Sequence, residues 1–150
     1  LYCRKFKEMT DSYFDFLRKG IKADYAVSNE VLGEGKFAIV KKATHRQTGE
    51  EVAVKIIFKQ RIKKNKEQTL ANEIAIMKRV HHPNCIAFHE MFDSEDRLFI
   101  VMELVTGGEL FDRILAKDHY SEMEAARCFV QMVSAIEYLH SIGIVHRDLK

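Results

Sequence analysis

From Tyr25 onward the apolar residues of this chain change from helical to strand spacing, and three strand-like runs precede the next helix. Ala38 to Thr44 and Val52 to Phe58 alternate or run apolar, and His45-Arg46-Gln47-Thr48-Gly49-Glu50 between them is a turn-rich hairpin connection. Leu70, Ile74, Met77 and Val80 then repeat as a helical stripe. Pro83 closes that segment, because proline lacks the amide hydrogen a helix needs. Two further strand-like runs, Ile86 to Phe92 and Leu98 to Val105, flank the turn Asp93-Ser94-Glu95-Asp96. After Gly107-Gly108 a short helix runs through Leu115, and Ser121-Glu122-Met123-Glu124 has capping-box spacing. It opens a longer helix with Phe129, Met132, Val133, Ile136 and Leu139 on its buried side. The order is strand, strand, strand, helix, strand, strand, helix, helix, an α+β arrangement.

Ahead of Tyr25, Phe6, Met9, Tyr13 and Phe16 predict an amphipathic helix over 1–19, ended by Gly20. Its mixed charges favour packing on a neighbouring domain over lying on a membrane. Residues 1–66 carry 16 Lys and Arg against 8 Asp and Glu, while the remainder is acidic. The basic run Lys59, Arg61, Lys63, Lys64, Lys66 has no aromatic residue or binding motif within it, so it reads as a solvated loop and not as a nucleic-acid patch. No apolar run approaches the ~18 residues of a membrane span. Cys3, Cys85 and Cys128 are isolated and odd in number, which points to a reducing, cytoplasmic setting without a disulfide framework.

Four segments carry chemistry. Gly33-Glu34-Gly35-Lys36-Phe37-Ala38-Ile39-Val40 is a glycine-rich turn between strands, where the backbone can approach a phosphate closely. A dinucleotide fingerprint needs a third glycine and an immediate helix, and a Walker loop needs Ser or Thr after the lysine. Neither condition is met, and a hairpin covering a nucleotide is left. In Val52-Ala53-Val54-Lys55 the small Ala53 and the charged Lys55 point to one face, although such a lysine also suits simple snorkelling to solvent. Glu73, on the Leu70–Met77 face of the following helix, is a carboxylate that can orient the Lys55 ammonium toward phosphates. Met102-Glu103-Leu104-Val105-Thr106-Gly107-Gly108-Glu109 ends a strand and bends, offering backbone groups to an adenine edge and Glu109 to a ribose hydroxyl; a plain surface turn is the alternative. In His146-Arg147-Asp148-Leu149-Lys150, Asp148 can orient a hydroxyl proton and Lys150 can hold a transferring phosphate.

Together these resemble the signature set of the eukaryotic protein kinases, in order and spacing. The resemblance implies a five-stranded antiparallel sheet with one major helix, the N-lobe over 25–105. Residues 106–150 would be the hinge and the first helices of an incomplete C-lobe, and residues 1–24 a flanking helix and linker. It implies that Lys55 pairs with Glu73 on ATP phosphates and that Asp148 is the catalytic base. Leu32, Val40, Ala53 and Met102 would line the adenine pocket, with Glu103 and Val105 as hinge contacts. Lys150 resembles Ser/Thr kinases. Asn72 to Met77, His81-His82-Pro83-Asn84 and Thr106 to Phe111 are similar to calmodulin-dependent kinases and the protein kinase D group. The resemblance therefore implies a protein substrate with basic residues upstream of its Ser or Thr, and calmodulin or another regulator outside this segment. Ala38 departs from the third loop glycine. The magnesium-binding Asn and Asp of the family would lie after Lys150, so the 150 residues alone are expected to be inactive. A catalytically inactive regulatory or binding fragment is the alternative function.

Overall fold

The computed structural model describes residues 20–62 and 66–149; the helix expected over 1–19, Lys63, Lys64 and Lys150 lie outside the described residues. Five strands form one antiparallel sheet: β1 (Tyr25–Glu34), β2 (Ala38–His45), β3 (Glu51–Phe58), β4 (Phe88–Asp93) and β5 (Arg97–Glu103), in the order β1-β2-β3-β5-β4. Among the described residues three α-helices accompany them: α1 (Glu67–Arg79), α2 (Leu110–Ala116) and α3 (Glu122–Ser141). The order of strands and helices is the one anticipated from residue spacing, and the five-stranded antiparallel sheet is the one the resemblance implies. The chain divides into two compact units. One holds the described residues up to Glu67 with His89–Leu104; the other holds Gln68–Phe88 with the described residues from Val105 on.

In the first unit β3 is central, paired with β2 on one side and β5 on the other. Successive side chains of a strand point to opposite faces. Val52, Val54 and Ile56 accordingly join one apolar cluster with Ile21, Tyr25, Ala43, Phe92 and Val101. Their ladder partners agree: Val54 faces Val101 and Ile56 faces Phe99. The Tyr25 hydroxyl reaches Glu90 Oε1 at 2.5 Å, so the one phenol of the cluster is satisfied. The β2–β3 turn is held by the His45 N–H to the Glu50 carbonyl at 2.8 Å and by Gly49 N–H to His45 carbonyl at 2.8 Å. Gly49 sits at φ 74°, a conformation glycine adopts without steric cost.

At the far end of the same sheet, cations cover two phenylalanines. The Arg61 and Arg97 guanidinium groups lie 4.4 and 5.5 Å from the Phe58 ring centre; Lys36 and Lys66 lie 5.6 and 5.8 Å from that of Phe37. The basic run thus does acquire aromatic neighbours. Its cations occupy those rings, which are not left bare for base stacking.

In the second unit, Leu70, Ile74, Met77 and Val80 are half-buried while the other residues of α1 are exposed, matching the stripe read from spacing. The end of α1 is tied to α3: Arg79 donates to the Ile142 carbonyl at 3.1 Å, and the Tyr138 hydroxyl donates to the Arg79 carbonyl at 3.3 Å. His82 stacks on Tyr138 with centroids 5.1 Å apart. Ile86, expected in a strand, is exposed and precedes β4, because the Cys85 N–H turns back to the His82 carbonyl at 3.0 Å. On α3 only Leu139 of the expected stripe is buried and Ile136 is half-buried; Phe129, Met132 and Val133 are exposed, since no described residue covers that part of the helix.

Ser121 and Glu124 form the anticipated capping box, each satisfying an amide of the other. An ion pair to Lys117, with the Ser121 amide and hydroxyl, holds the Glu124 carboxyl at about 2, below its ordinary 4.5. A carboxyl depressed on folding contributes stability above its unfolded pKa, and that contribution is lost as pH falls through the folded value. The stability difference between the parent and Glu124→Gln, followed by urea unfolding, is therefore expected to be flat at neutral pH and to shrink between pH 4.5 and about 2. A difference that persists unchanged at the acid end would contradict this account of the cap.

Candidate active site

Four of the residues singled out for nucleotide contact stand on one sheet face, the one opposite the apolar cluster. Across the ladders Val40 faces Lys55, Ala53 faces Met102, and Lys55 faces Ile100 on its other side. The two-residue period puts Ala53 and Lys55 on the same side. Ala53 and Ile100 are buried, while Val40, Lys55 and Met102 are half-buried. Two lysines share this face and differ in their commitments. Lys42, opposite Ala53, is bound to Glu51 at 2.7 Å, whereas no ion pair among the described residues engages Lys55.

The glycine-rich turn joins β1 to β2. Gly33 pairs with Val40 and Glu34 with Ile39, and Gly35 N–H donates to the Ala38 carbonyl at 2.8 Å to close the tip Gly35-Lys36-Phe37. The Phe58 N–H donates to the Phe37 carbonyl at 3.1 Å and ties that tip to the end of β3. A register irregularity between Val31 and Gly33 leaves Leu32 outside the ladder, and its side chain is exposed. Neither Gly33 nor Gly35 has a positive φ. A Cβ placed on Gly33 meets nothing within 4 Å, and one on Gly35 meets only the Ala38 carbonyl oxygen at 3.8 Å. The backbone conformation does not call for glycine at either position. What glycine leaves there is uncovered backbone, the property a phosphate cradle needs.

Met102 and Glu103 close β5 in the first unit. In the second unit Val105 is exposed, Gly107 and Gly108 turn the chain at φ 105° and 74°, and Glu109 precedes α2 as its N-cap. Glu73 is exposed at mid-length of α1. Past α3, the Ile144 N–H bonds the Leu139 carbonyl at 2.8 Å and Ile144 is buried, which anchors the segment carrying Asp148. The Asp148 N–H donates to His146 Nδ1 at 3.3 Å. Arg147 between them is held at φ 63°, a left-handed conformation uncommon for a residue with a side chain. Such strain collects at functional sites, and spacing gave no sign of it. The stacking of Arg61 and Arg97 on the Phe58 ring also went unforeseen, although Phe58 and Arg61 stand three residues apart.

The family model of the protein kinase domain matches residues 26–150. The chain belongs to the protein kinase family. Among its relatives, myosin light chain kinase A of Dictyostelium discoideum is 50% identical over 121 residues, 81% of this chain and 41% of that protein. Calcium/calmodulin-dependent protein kinase type 1B of Rattus norvegicus is 46% identical, over 81% of this chain and 35% of that protein. CBL-interacting serine/threonine-protein kinase 3 of Arabidopsis thaliana is 47% identical, over 79% and 27%. The matched stretch thus spans well under half the length of each of these relatives. The expected likeness to serine/threonine and calmodulin-dependent kinases holds, and the inactive-fragment alternative is not favoured.

If Gly33 serves a ligand and not the fold, Gly33→Ala is expected to change unfolding free energy by no more than ~0.5 kcal/mol. Gly143→Ala, at φ 76°, should cost ~1–2 kcal/mol. Denaturant titrations of the two variants compare them directly. Equal losses would mean that the loop glycine is structural.

Proposed function

We propose that this chain supplies the ATP-binding part of a protein serine/threonine kinase, which moves the γ-phosphate of ATP to Ser or Thr hydroxyls of a protein. The observation that carries the reading is Lys55, half-buried without an ion pair among the described residues, on a face shared with Val40, Ala53 and Met102. A half-buried ammonium is stabilised by an anion nearby. The small and apolar residues Leu32, Val40, Ala53 and Met102 suit a flat base, with Glu103 and Val105 giving backbone groups and Glu109 a ribose contact. Residues 33–38 and Lys55 hold the phosphates, and Glu73 orients Lys55.

Asp148 accepts or orients the proton of the substrate hydroxyl, and Lys150 steadies the phosphoryl group. Magnesium supplies charge neutralisation at the phosphates in this reaction class. Among the described residues no group of three or more His, Cys, Asp or Glu could hold it. No described helix is long and apolar enough to cross a membrane. Cys85 and Cys128 are free thiols, in keeping with a reducing, cytoplasmic setting. Calmodulin or another regulator would act through sequence outside this segment.

Calorimetric titration with ATP tests the site on the chain itself. Lys55→Met should weaken binding on the order of tenfold or more, the worth of a charge-assisted bond, without lowering the melting temperature. In the full-length protein it should abolish phosphotransfer, and Glu73→Gln should reduce transfer without adding to the Lys55→Met loss. Undiminished ATP affinity and transfer in the Lys55 variant would sink the assignment.

Glu109 also bears on substrate choice, because a carboxylate at that position can pair with a basic side chain upstream of the phosphorylated residue. A peptide-library screen of the full-length protein is expected to select Arg or Lys a few positions before Ser or Thr, and Glu109→Gln to relax that preference. Selection of acidic or proline-directed sites would count against it.

A further inference from the structure

The second unit contains a cavity of about 440 Å³ between α2 and α3. Its wall includes the half-buried Tyr120, Glu124 and Cys128, and the exposed Arg113, Lys117 and Arg127 form a cationic rim. Three cations face one carboxylate, and that carboxylate is already committed. Glu124 takes the Lys117 ammonium and closes the helix cap with Ser121.

The two arginines are not matched in this way. No ion pair among the described residues engages either one. Arg127 gives a guanidinium N–H to the Met123 thioether at 3.4 Å, a weak acceptor. Arg113 is close enough to Lys117 to oppose the charge on its ammonium, although the Glu124 bond prevails and raises the Lys117 pKa. Like charges gathered at the mouth of a cavity destabilise one another until an anion enters.

We infer that this cavity is a docking site for a phosphorylated serine or threonine side chain of a partner peptide, held by Arg113 and Arg127. A phosphate monoester carries about −1.5 to −2 charge near neutral pH, which matches the excess of two cations on the rim. Arginine presents a planar fork that binds phosphate through two parallel bonds, and a pair of forks selects phosphate over a single carboxylate. The volume exceeds what one phosphate fills, leaving room for the side chain that bears it against the Tyr120 ring. None of the residues concerned is among those assigned to the proposed phosphotransfer chemistry.

The cavity also contains its own reporter. Cys128 lies in the wall, while Cys85, whose thiol burial pushes upward in pKa, lies outside it and serves as the internal control. The 150-residue chain is titrated by fluorescence anisotropy with a labelled, otherwise neutral Gly/Ser peptide bearing one phosphoserine. Parallel titrations use the unphosphorylated peptide, its Glu counterpart, inorganic phosphate and vesicles containing a phosphoinositide. Maleimide modification of Cys128 and Cys85 is followed by mass spectrometry in each mixture.

The expected result is binding of the phosphopeptide ahead of every other probe, with Cys128 modification slowed and that of Cys85 unchanged. Arg113→Gln with Arg127→Gln should weaken binding on the order of tenfold or more and restore the Cys128 rate. Should that pair disturb folding, Arg113→Lys with Arg127→Lys keeps the charge and removes the forks, and it too should lose affinity for the phosphopeptide. Equal binding of phosphorylated and plain peptide, a stronger response to inorganic phosphate or vesicles, or unaltered affinity in the folded lysine variant would each overturn the inference.

Discussion

Everything in the first unit depends on β3 being paired on both edges. A strand with neighbours on either side leaves no backbone amide of its ladder open, and its two faces must then serve two purposes. One face supplies Val52, Val54 and Ile56 to the apolar cluster. The other carries Ala53 and Lys55 between Val40 and Met102. Core packing on one side thus fixes, through a single backbone, where the ammonium stands on the other. A one-residue slip of β3 would bury Lys55 in the cluster and turn Val54 outward, so the apolar core excludes it strongly.

The candidate site residues in this sheet were legible because they follow the same two-residue period as the core. Ala53 and Lys55 are recognisable as face-mates from their spacing alone. The α1 stripe was legible for the analogous reason, and the capping box because its partners are three residues apart. Features that failed to show in the sequence join residues from distant segments. The Arg97 stacking on Phe58 and the meeting of Arg113 with Arg127 at one rim arise only when separate elements come together. Arg147 illustrates another limit, since a left-handed backbone at a residue other than glycine leaves no mark in composition. The α3 stripe was readable as apolar, but periodicity cannot tell whether a covering surface lies within the same stretch of chain.

The two loops rich in glycine use it for different physical ends. At Gly107 and Gly108 the backbone turns through conformations that side chains resist, so glycine there serves the path of the chain. At Gly33 and Gly35 the dihedrals are ordinary and the space above is open. Substitution by a larger residue would be tolerated by the fold and felt only by what approaches the loop. A residue type identical in sequence therefore carries a structural constraint in one place and a steric allowance in the other.

The hydrogen bonds that tie Arg79 and His81 to Tyr138 and Ile142 fasten the carboxyl end of α1 to α3. Glu73 lies six residues back from that fastening, about 9 Å along a helix rising 1.5 Å per residue. Measured from that fastening, α1 is a short lever with a carboxylate partway along its length. Rocking by about 10° at the pivot carries the Glu73 backbone through roughly 1.6 Å, half the length of a hydrogen bond. A small angular play at the Tyr138 clasp is thereby enlarged, along the helix, into a displacement that matters on the scale of a single polar contact.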